Sequence, residues 1–166
     1  MGSAAADDSL ASLAREVGER LHCLGLRLAT TESCTGGWVA KVITDVPGSS
    51  QWFERGVIVY SNAAKMELLG VPKSTLETYG AVSQEVAAEM ARGIITRALA
   101  EVSLAVTGIA GPDGGTSAKP VGLVWLAWCR IGTAPVTCER HFQGGREDIR
   151  RQAVAAALQG LIRLLR

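Results

Sequence analysis

The sequence predicts an α/β protein, a three-layer α/β/α sandwich around a mostly parallel mixed sheet of about five strands. Three observations carry this expectation. Segments with apolar residues at helical spacing alternate along the chain with short β-branched or apolar runs. Turn and cap residues punctuate almost every change of pattern. The last two strand-like runs have no helix between them, so part of the sheet is antiparallel.

The first helix is expected over about 9–23. Leu10, Leu13, Ala14, Val17 and Leu21 recur on one face, behind cap candidates Asp8 and Ser9. Gly25 ends it. Leu26 to Thr31 reads as a short strand, and Thr35 to Thr44 as a second helix closed by Pro47-Gly48. Gly56 to Tyr60 is β-branched and aromatic, hence a strand. Asn62 to Leu69 is a short helix with Ser61 or Asn62 as cap and Gly70 as stop. Ser83 caps a longer helix whose inner face holds Ala87, Met90, Ala91, Ile94 and Ala98. Val102 to Thr107 is an apolar strand, and Gly108 to Pro120 a glycine-rich loop. Val121 to Arg130 and Pro135 to Phe142 are two further strands. Trp125 and Trp128, three apart, point to opposite faces of the first of these. The last helix runs from about Glu147 to Leu165, with Ile149, Ala153, Ala156, Ala157, Leu161 and Leu164 inward.

Composition narrows the function. At 166 residues the chain fits one domain over 9–166, with 1–8 as a flexible N-terminus. Apolar residues make up 48% and charged residues 20%, the usage of a folded domain. Seventeen basic side chains against sixteen acidic give +1, no basis for a nucleic-acid or anionic-membrane partner. Val121 to Cys129, the longest apolar run, is too short to span a bilayer. The first eight residues lack a signal-peptide pattern, and Ala6 breaks the myristoylation motif. Cys23, Cys34, Cys129 and Cys138 lack zinc spacing, as expected of free thiols in a cytoplasmic chain without a metal. His22 and His141 stand apart from any cluster.

Ligands of open α/β sheets gather at the C-terminal ends of strands. That rule selects Thr31–Gly37, Tyr60–Lys65 and Thr107–Gly115. In the first, a strand runs into a helix, whose free N–H groups make an anion site. Ser33 there is a candidate nucleophile or phosphate contact, against the plain reading of a helix cap. Thr35, Gly36 and Gly37 are candidates to bind substrate or oxyanion. Cys34 is intrinsically the stronger nucleophile, but no base accompanies it. Lys41 lies about 12 Å further along the helix axis, too far to pair with Ser33. In the second, Lys65 sits in a first helical turn, where the helix dipole disfavours a cation. That field and burial lower an amine's pKa toward that of a base. The plain alternative is a lysine that snorkels into solvent. Tyr60 and Asn62 flank it. In the third, Thr107, Gly108, Ala110 and Gly111 begin a loop that cradles a ligand or merely connects strands. Asp113 has no second carboxylate near it in sequence.

Taken together, Thr31–Gly37 with Trp38-Val39-Ala40-Lys41, Pro47–Phe53, Gly56–Lys65, Gly80–Ser83, Thr107–Gly115 and Lys119–Gly122 resemble the C-terminal domain of the competence-damage-inducible protein CinA, in its stand-alone form. The resemblance covers about residues 9–165. It implies an α/β/α sandwich with a mixed sheet and no cofactor. The implied activity is hydrolysis of the carboxamide of nicotinamide mononucleotide to nicotinate mononucleotide and ammonia, in pyridine-nucleotide salvage. The family's Ser, Lys and Tyr fall on Ser33, Lys65 and Tyr60. Its N-terminal pyrophosphatase domain is not expected here. One departure stands out: where the family often has Phe-x-Gly-Asp-Arg, this chain has Phe142-Gln143-Gly144-Gly145-Arg146. The rival readings are a non-catalytic nucleotide-phosphate-binding module, a Cys34-dependent amidase and an interaction domain. Four Trp in a small apolar chain lead us to expect a homo-oligomer.

Overall fold

The computed structural model describes residues 2–166, with side chains from Ser9 onward. The expected flexible N-terminus at 1–8 falls on Met1 and on side chains outside the described residues. The elements are α1 (Gly2–Leu24), β1 (Leu28–Glu32), α2 (Trp38–Thr44), a 3-10 turn (Ser49–Gln51), β2 (Phe53–Ile58), α3 (Asn62–Leu69), α4 (Lys73–Tyr79), α5 (Gln84–Ile95), β3 (Val102–Gly108), β4 (Leu123–Arg130), β5 (Val136–His141) and α6 (Arg146–Leu164). The sheet order is β2-β1-β3-β4-β5. β1 pairs in parallel with β2 and β3. β4 is antiparallel to both its neighbours, so it alone runs against the rest. The expected α/β/α sandwich with a mostly parallel mixed sheet of five strands is the observed one.

Side chains alternate across the pleat and build one core on each face. Leu28, Leu104, Val106, Leu126 and Trp128 join Leu10, Val17 and Leu21 of α1, Val39 and Ile43 of α2, and Ile149, Ala153 and Leu161 of α6. Ala29, Ala105 and Ala127 pack instead against Leu69 of α3, Leu76 of α4 and Met90, Ala91 and Ile94 of α5. The small strand residues on this second face let α5 lie close. The two tryptophans part as their spacing requires. Trp128 enters the first core and Trp125 packs on the second.

Trp128 also fixes α6. Its indole N–H donates to the Ala157 carbonyl at 2.9 Å, and its ring fills the space beside Gly160, where a Cβ would overlap it. Alanine is the better helix former, by about 1 kcal/mol. Even so, Gly160→Ala is expected to destabilise the protein by about 2 kcal/mol through overpacking, which thermal unfolding would measure as a lower Tm. A Tm equal to or above that of the parent would refute this account.

Several boundaries differ from the sequence-based expectation: β1 starts at Leu28 rather than Leu26, α5 ends at Ile95 and leaves Ala98 beyond it, and β4 starts at Leu123 rather than Val121. α1 extends back to Gly2, so Asp8 and Ser9 lie inside it rather than capping it. α2 starts at Trp38, not Thr35, because Gly36 (φ 60°) and Gly37 (φ 93°) take left-handed conformations that no α-helix contains. β2 begins at Phe53 and ends at Ile58, earlier than expected at both ends. Gly56 lies inside it, where a Cβ would press on Thr30 Oγ1 and Ala40. The short helix α4 was not anticipated at all.

These elements bring the ends of β1, β2 and β3 to one side of the sheet. Glu32 aligns with Ile58 and with Val106. Ser33, Tyr60 and Gly108 therefore emerge side by side, as the strand-end rule requires.

Candidate active site

The turn from β1 into α2 is held at several points. Ser33 N–H donates to the Val106 carbonyl at 2.9 Å, and Gly36 N–H to the Ser33 carbonyl at 3.1 Å. The buried Glu32 side chain folds forward over the start of α2. Its two oxygens accept from Val39 N–H (2.9 Å) and Ala40 N–H (3.1 Å). A carboxylate at this position satisfies orphan amides and complements the helix dipole. The anion site expected at this helix start is thus filled by the chain's own carboxylate. From the other side, Arg150 of α6 donates to the Cys34 carbonyl at 3.0 Å and the Thr35 carbonyl at 2.9 Å.

Ser61 caps α3, its hydroxyl accepting from Ala64 N–H at 3.0 Å. That cap sets the first turn of α3 and points Lys65 back across the sheet ends. Lys65 is 1% exposed. Its Nζ lies 3.2 Å from Ser33 Oγ, 2.8 Å from the Val59 carbonyl and 3.3 Å from the Tyr60 carbonyl. A neutral amine has two N–H donors and one lone pair. In the neutral form, donation to the two carbonyls would leave the lone pair for Ser33, whereas the ammonium donates to all three oxygens. Burial lowers the Lys65 pKa from its usual 10.5, the cause that dominates. The snorkelling alternative is excluded by this enclosure. Cys34 has the opposite fate, as burial pushes its thiol up to about 12. Burial of this kind holds the proton on the thiol and works against a nucleophilic role for Cys34.

Ser33 and Lys65 open onto a cleft of about 270 Å³, whose far wall is the 107–114 segment. Thr107, Gly108, Ala110 and Gly111 line it as expected; the Thr107 hydroxyl donates to the Ala81 carbonyl at 2.8 Å. Lys119 ties the returning part of this loop to the Tyr79 carbonyl. Tyr60 lines the cleft but is 62% exposed. Its carbonyl serves Lys65, and its hydroxyl accepts from Arg146 at 3.2 Å. Thr35, Gly36, Gly37 and Asn62 do not line the cleft. The two glycines shape the turn, and Thr35 is fully buried. Lys41 pairs with Asp45 on the surface.

Sequence reasoning did not assign Arg146 to the site. It lines the cleft and donates to the Gly111 carbonyl at 2.7 Å. The Phe142–Arg146 motif was the available signal. Gly145, the departure in that motif, is the N-cap of α6. It offers no capping side chain, but its N–H donates to Asp148 at 2.9 Å. Arg146 makes contacts to Gly111 and Tyr60 with glycine, not Asp, at position 145.

Fold and site together define a class: an α/β/α sandwich carrying a serine hydroxyl on a buried lysine amine at the strand ends. The chain belongs to the CinA C-terminal domain family, whose model matches residues 10–165. It is 50% identical over 155 residues to the nicotinamide-nucleotide amidohydrolase PncC of Escherichia coli (strain K12), covering 93% of this chain and 94% of that protein. It is 51% identical over 157 residues to the protein of the same name from Pseudomonas putida, covering 95% and 98%. Among solved structures, it resembles the competence/damage inducible protein CihA from Agrobacterium tumefaciens. The TM-score there is 0.93 at 43% identity, over 95% of this chain and 96% of that one. No helix among the described residues is long and apolar enough to cross a membrane.

Proposed function

We propose that this chain hydrolyses the carboxamide of nicotinamide mononucleotide to nicotinate mononucleotide and ammonia, a step of pyridine-nucleotide salvage. Ser33 is the nucleophile and Lys65 the base. The observation that carries the reading is the enclosed Lys65 amine 3.2 Å from Ser33 Oγ at a cleft wall. The relatives named nicotinamide-nucleotide amidohydrolase supply the substrate.

Neutral Lys65 takes the Ser33 proton as Oγ bonds to the carboxamide carbon. The C–N bond then breaks, and the Lys65 ammonium protonates the departing nitrogen, which leaves as ammonia. Water attacks the resulting Ser33 ester, again with Lys65 as base, to release the carboxylate and restore the hydroxyl. No relay is needed between Ser33 and Lys65, so Tyr60 orients the lysine through its carbonyl and contacts substrate with its ring. Arg146, the exposed cation of the cleft wall, pairs with the substrate phosphate. Thr107, Gly108, Ala110 and Gly111 form the opposite wall.

The test is release of ammonia and nicotinate mononucleotide, one to one, from nicotinamide mononucleotide by the purified chain with chelator present. Binding of the nucleotide without turnover would overturn the reading and support a binding module instead.

A further inference from the structure

We propose that the backbone N–H of Gly108 is an oxyanion donor of this reaction, left open for the substrate where the β1–β3 ladder stops one bond short. The inference rests on Ser33 as the nucleophile. As Ser33 Oγ bonds to the carboxamide carbon, its proton passes to Lys65 and the C=O π electrons move onto the substrate oxygen. That oxygen then needs a fixed donor beside Ser33. The start of α2 does not supply one, because Glu32 already occupies its Val39 and Ala40 amides.

The strand pairing places the Gly108 amide. Alternate residues of a strand direct their N–H and C=O groups to opposite neighbours. Ser33 N–H donates to the Val106 carbonyl at 2.9 Å, so Val106 faces β1, and Gly108, two residues on, faces the same way. Ile109 shows the alternation from the other side, its N–H donating to the Leu123 carbonyl of β4 at 2.9 Å. With Glu32 aligned on Val106, the next rung of the ladder would run from Gly108 N–H to the Ser33 carbonyl. That rung is not made. The Ser33 carbonyl accepts from Gly36 N–H at 3.1 Å instead, and Gly108 N–H meets no acceptor among the described residues. The amide therefore stands unpaired beside Ser33, at a residue that lines the cleft.

An effective oxyanion donor is fixed before the substrate arrives. The residues on both sides of Gly108 are anchored. The Thr107 hydroxyl donates to the Ala81 carbonyl at 2.8 Å, and Ile109 is tied to β4. Gly108 itself lies so close to β4 that a Cβ would stand 2.6 Å from Val124 Cγ2 and 2.9 Å from the Leu123 oxygen. A side chain there would push the strand end, and with it the amide, off this position. Ser33 Oγ, Lys65 Nζ and Gly108 N–H thus share one corner of the sheet as nucleophile, base and donor. A substrate oxygen supplies the acceptor that the ladder withholds.

The experiment replaces the Thr107–Gly108 amide by an ester, with glycolic acid incorporated at position 108 by cell-free translation, which removes the N–H and adds no side chain. Glycolic acid in place of Gly132, in the exposed turn between β4 and β5, is the control. Parent turnover of nicotinamide mononucleotide is the first arm, and its absence would take down the functional reading and this inference together. With the parent active, the ester at 108 is expected to lose about 10²-fold in kcat with KM within about threefold, and the ester at 132 to match the parent. A kcat that survives at 108, a loss confined to KM, or equal losses in both esters would overturn the proposal. If the ester at 108 fails to fold, NMR of the parent carries the test. The nucleotide with an aldehyde in place of its carboxamide adds Ser33 Oγ across the C=O, giving a hemiacetal oxyanion with the serine proton on Lys65. The Gly108 amide proton is then expected to move downfield, further than any other glycine amide, and Ser33→Ala should abolish the shift. An adduct that leaves Gly108 unmoved, or an active parent that forms no adduct, would overturn the inference.

Discussion

Ser33→Ala is expected to lower kcat for ammonia release at least about 10³-fold while leaving Tm within about 2 °C of the parent. In the proposed mechanism the hydroxyl supplies the bond-forming oxygen, and it is one of the three contacts of Lys65 Nζ. The other two, to the Val59 and Tyr60 carbonyls, survive in the variant and keep the lysine in place. No neighbour substitutes for the lost nucleophile. Cys34 is adjacent, but its thiol is pushed up to about 12. What remains is slow attack by water, with Lys65 still acting as base. Activity that persists in Ser33→Ala and vanishes on thiol alkylation would move the nucleophile to Cys34.

Lys65→Arg is expected to cost at least as much, although it keeps a positive charge. A guanidinium stays protonated across the accessible pH range and cannot accept the Ser33 proton. The parent enzyme should show the complementary pH dependence. The proposed mechanism requires neutral Lys65, whose pKa lies below the usual 10.5 because burial disfavours the ammonium. The logarithm of kcat/KM should therefore rise by one per pH unit on the acid side of that pKa. It should level off before 10.5, and Lys65→Arg should lack the limb. The same shift gives a stability effect of definite sign. Between the folded and unfolded pKa values the unfolded chain binds more protons at this position, so the Lys65 contribution to stability rises with pH through that window. Ser33→Ala combined with Lys65→Arg should be about as slow as either alone, since the two groups act as a unit. Multiplicative losses would break the pair into independent contributors.

The layered fold was legible because the two patterns that specify it are local. Leu10, Ala14, Val17 and Leu21 mark a buried helical stripe, and Val102–Thr107 a buried strand. The strand-end rule then brought Ser33 and Lys65 forward as candidates beside plainer readings, and the family resemblance singled them out. What escaped depended on side chains reaching across the chain. Glu32 read as part of a strand tip, because nothing local says that its carboxylate caps a helix seven residues on. β2 was placed too late because Val59 and Tyr60 look like strand residues. Both leave the strand, and their carbonyls turn instead to Lys65. α4 carried no periodicity to detect, since Leu76 is its one buried residue. Arg146 and Arg150 sit on the last helix, distant in sequence from everything they hold.

Ser33 and Lys65 stand at opposite ends of the β1–α2–β2–α3 crossover, 32 positions apart. In the proposed mechanism neither works until that crossover has closed and β1 and β2 have paired in parallel, which is among the slower events of chain assembly. A collapsed intermediate with native helices would hold a solvated lysine and an unactivated serine. Recovery of turnover during refolding would consequently lag behind recovery of helical circular dichroism. That makes catalysis a stricter clock for native topology than any signal of secondary structure.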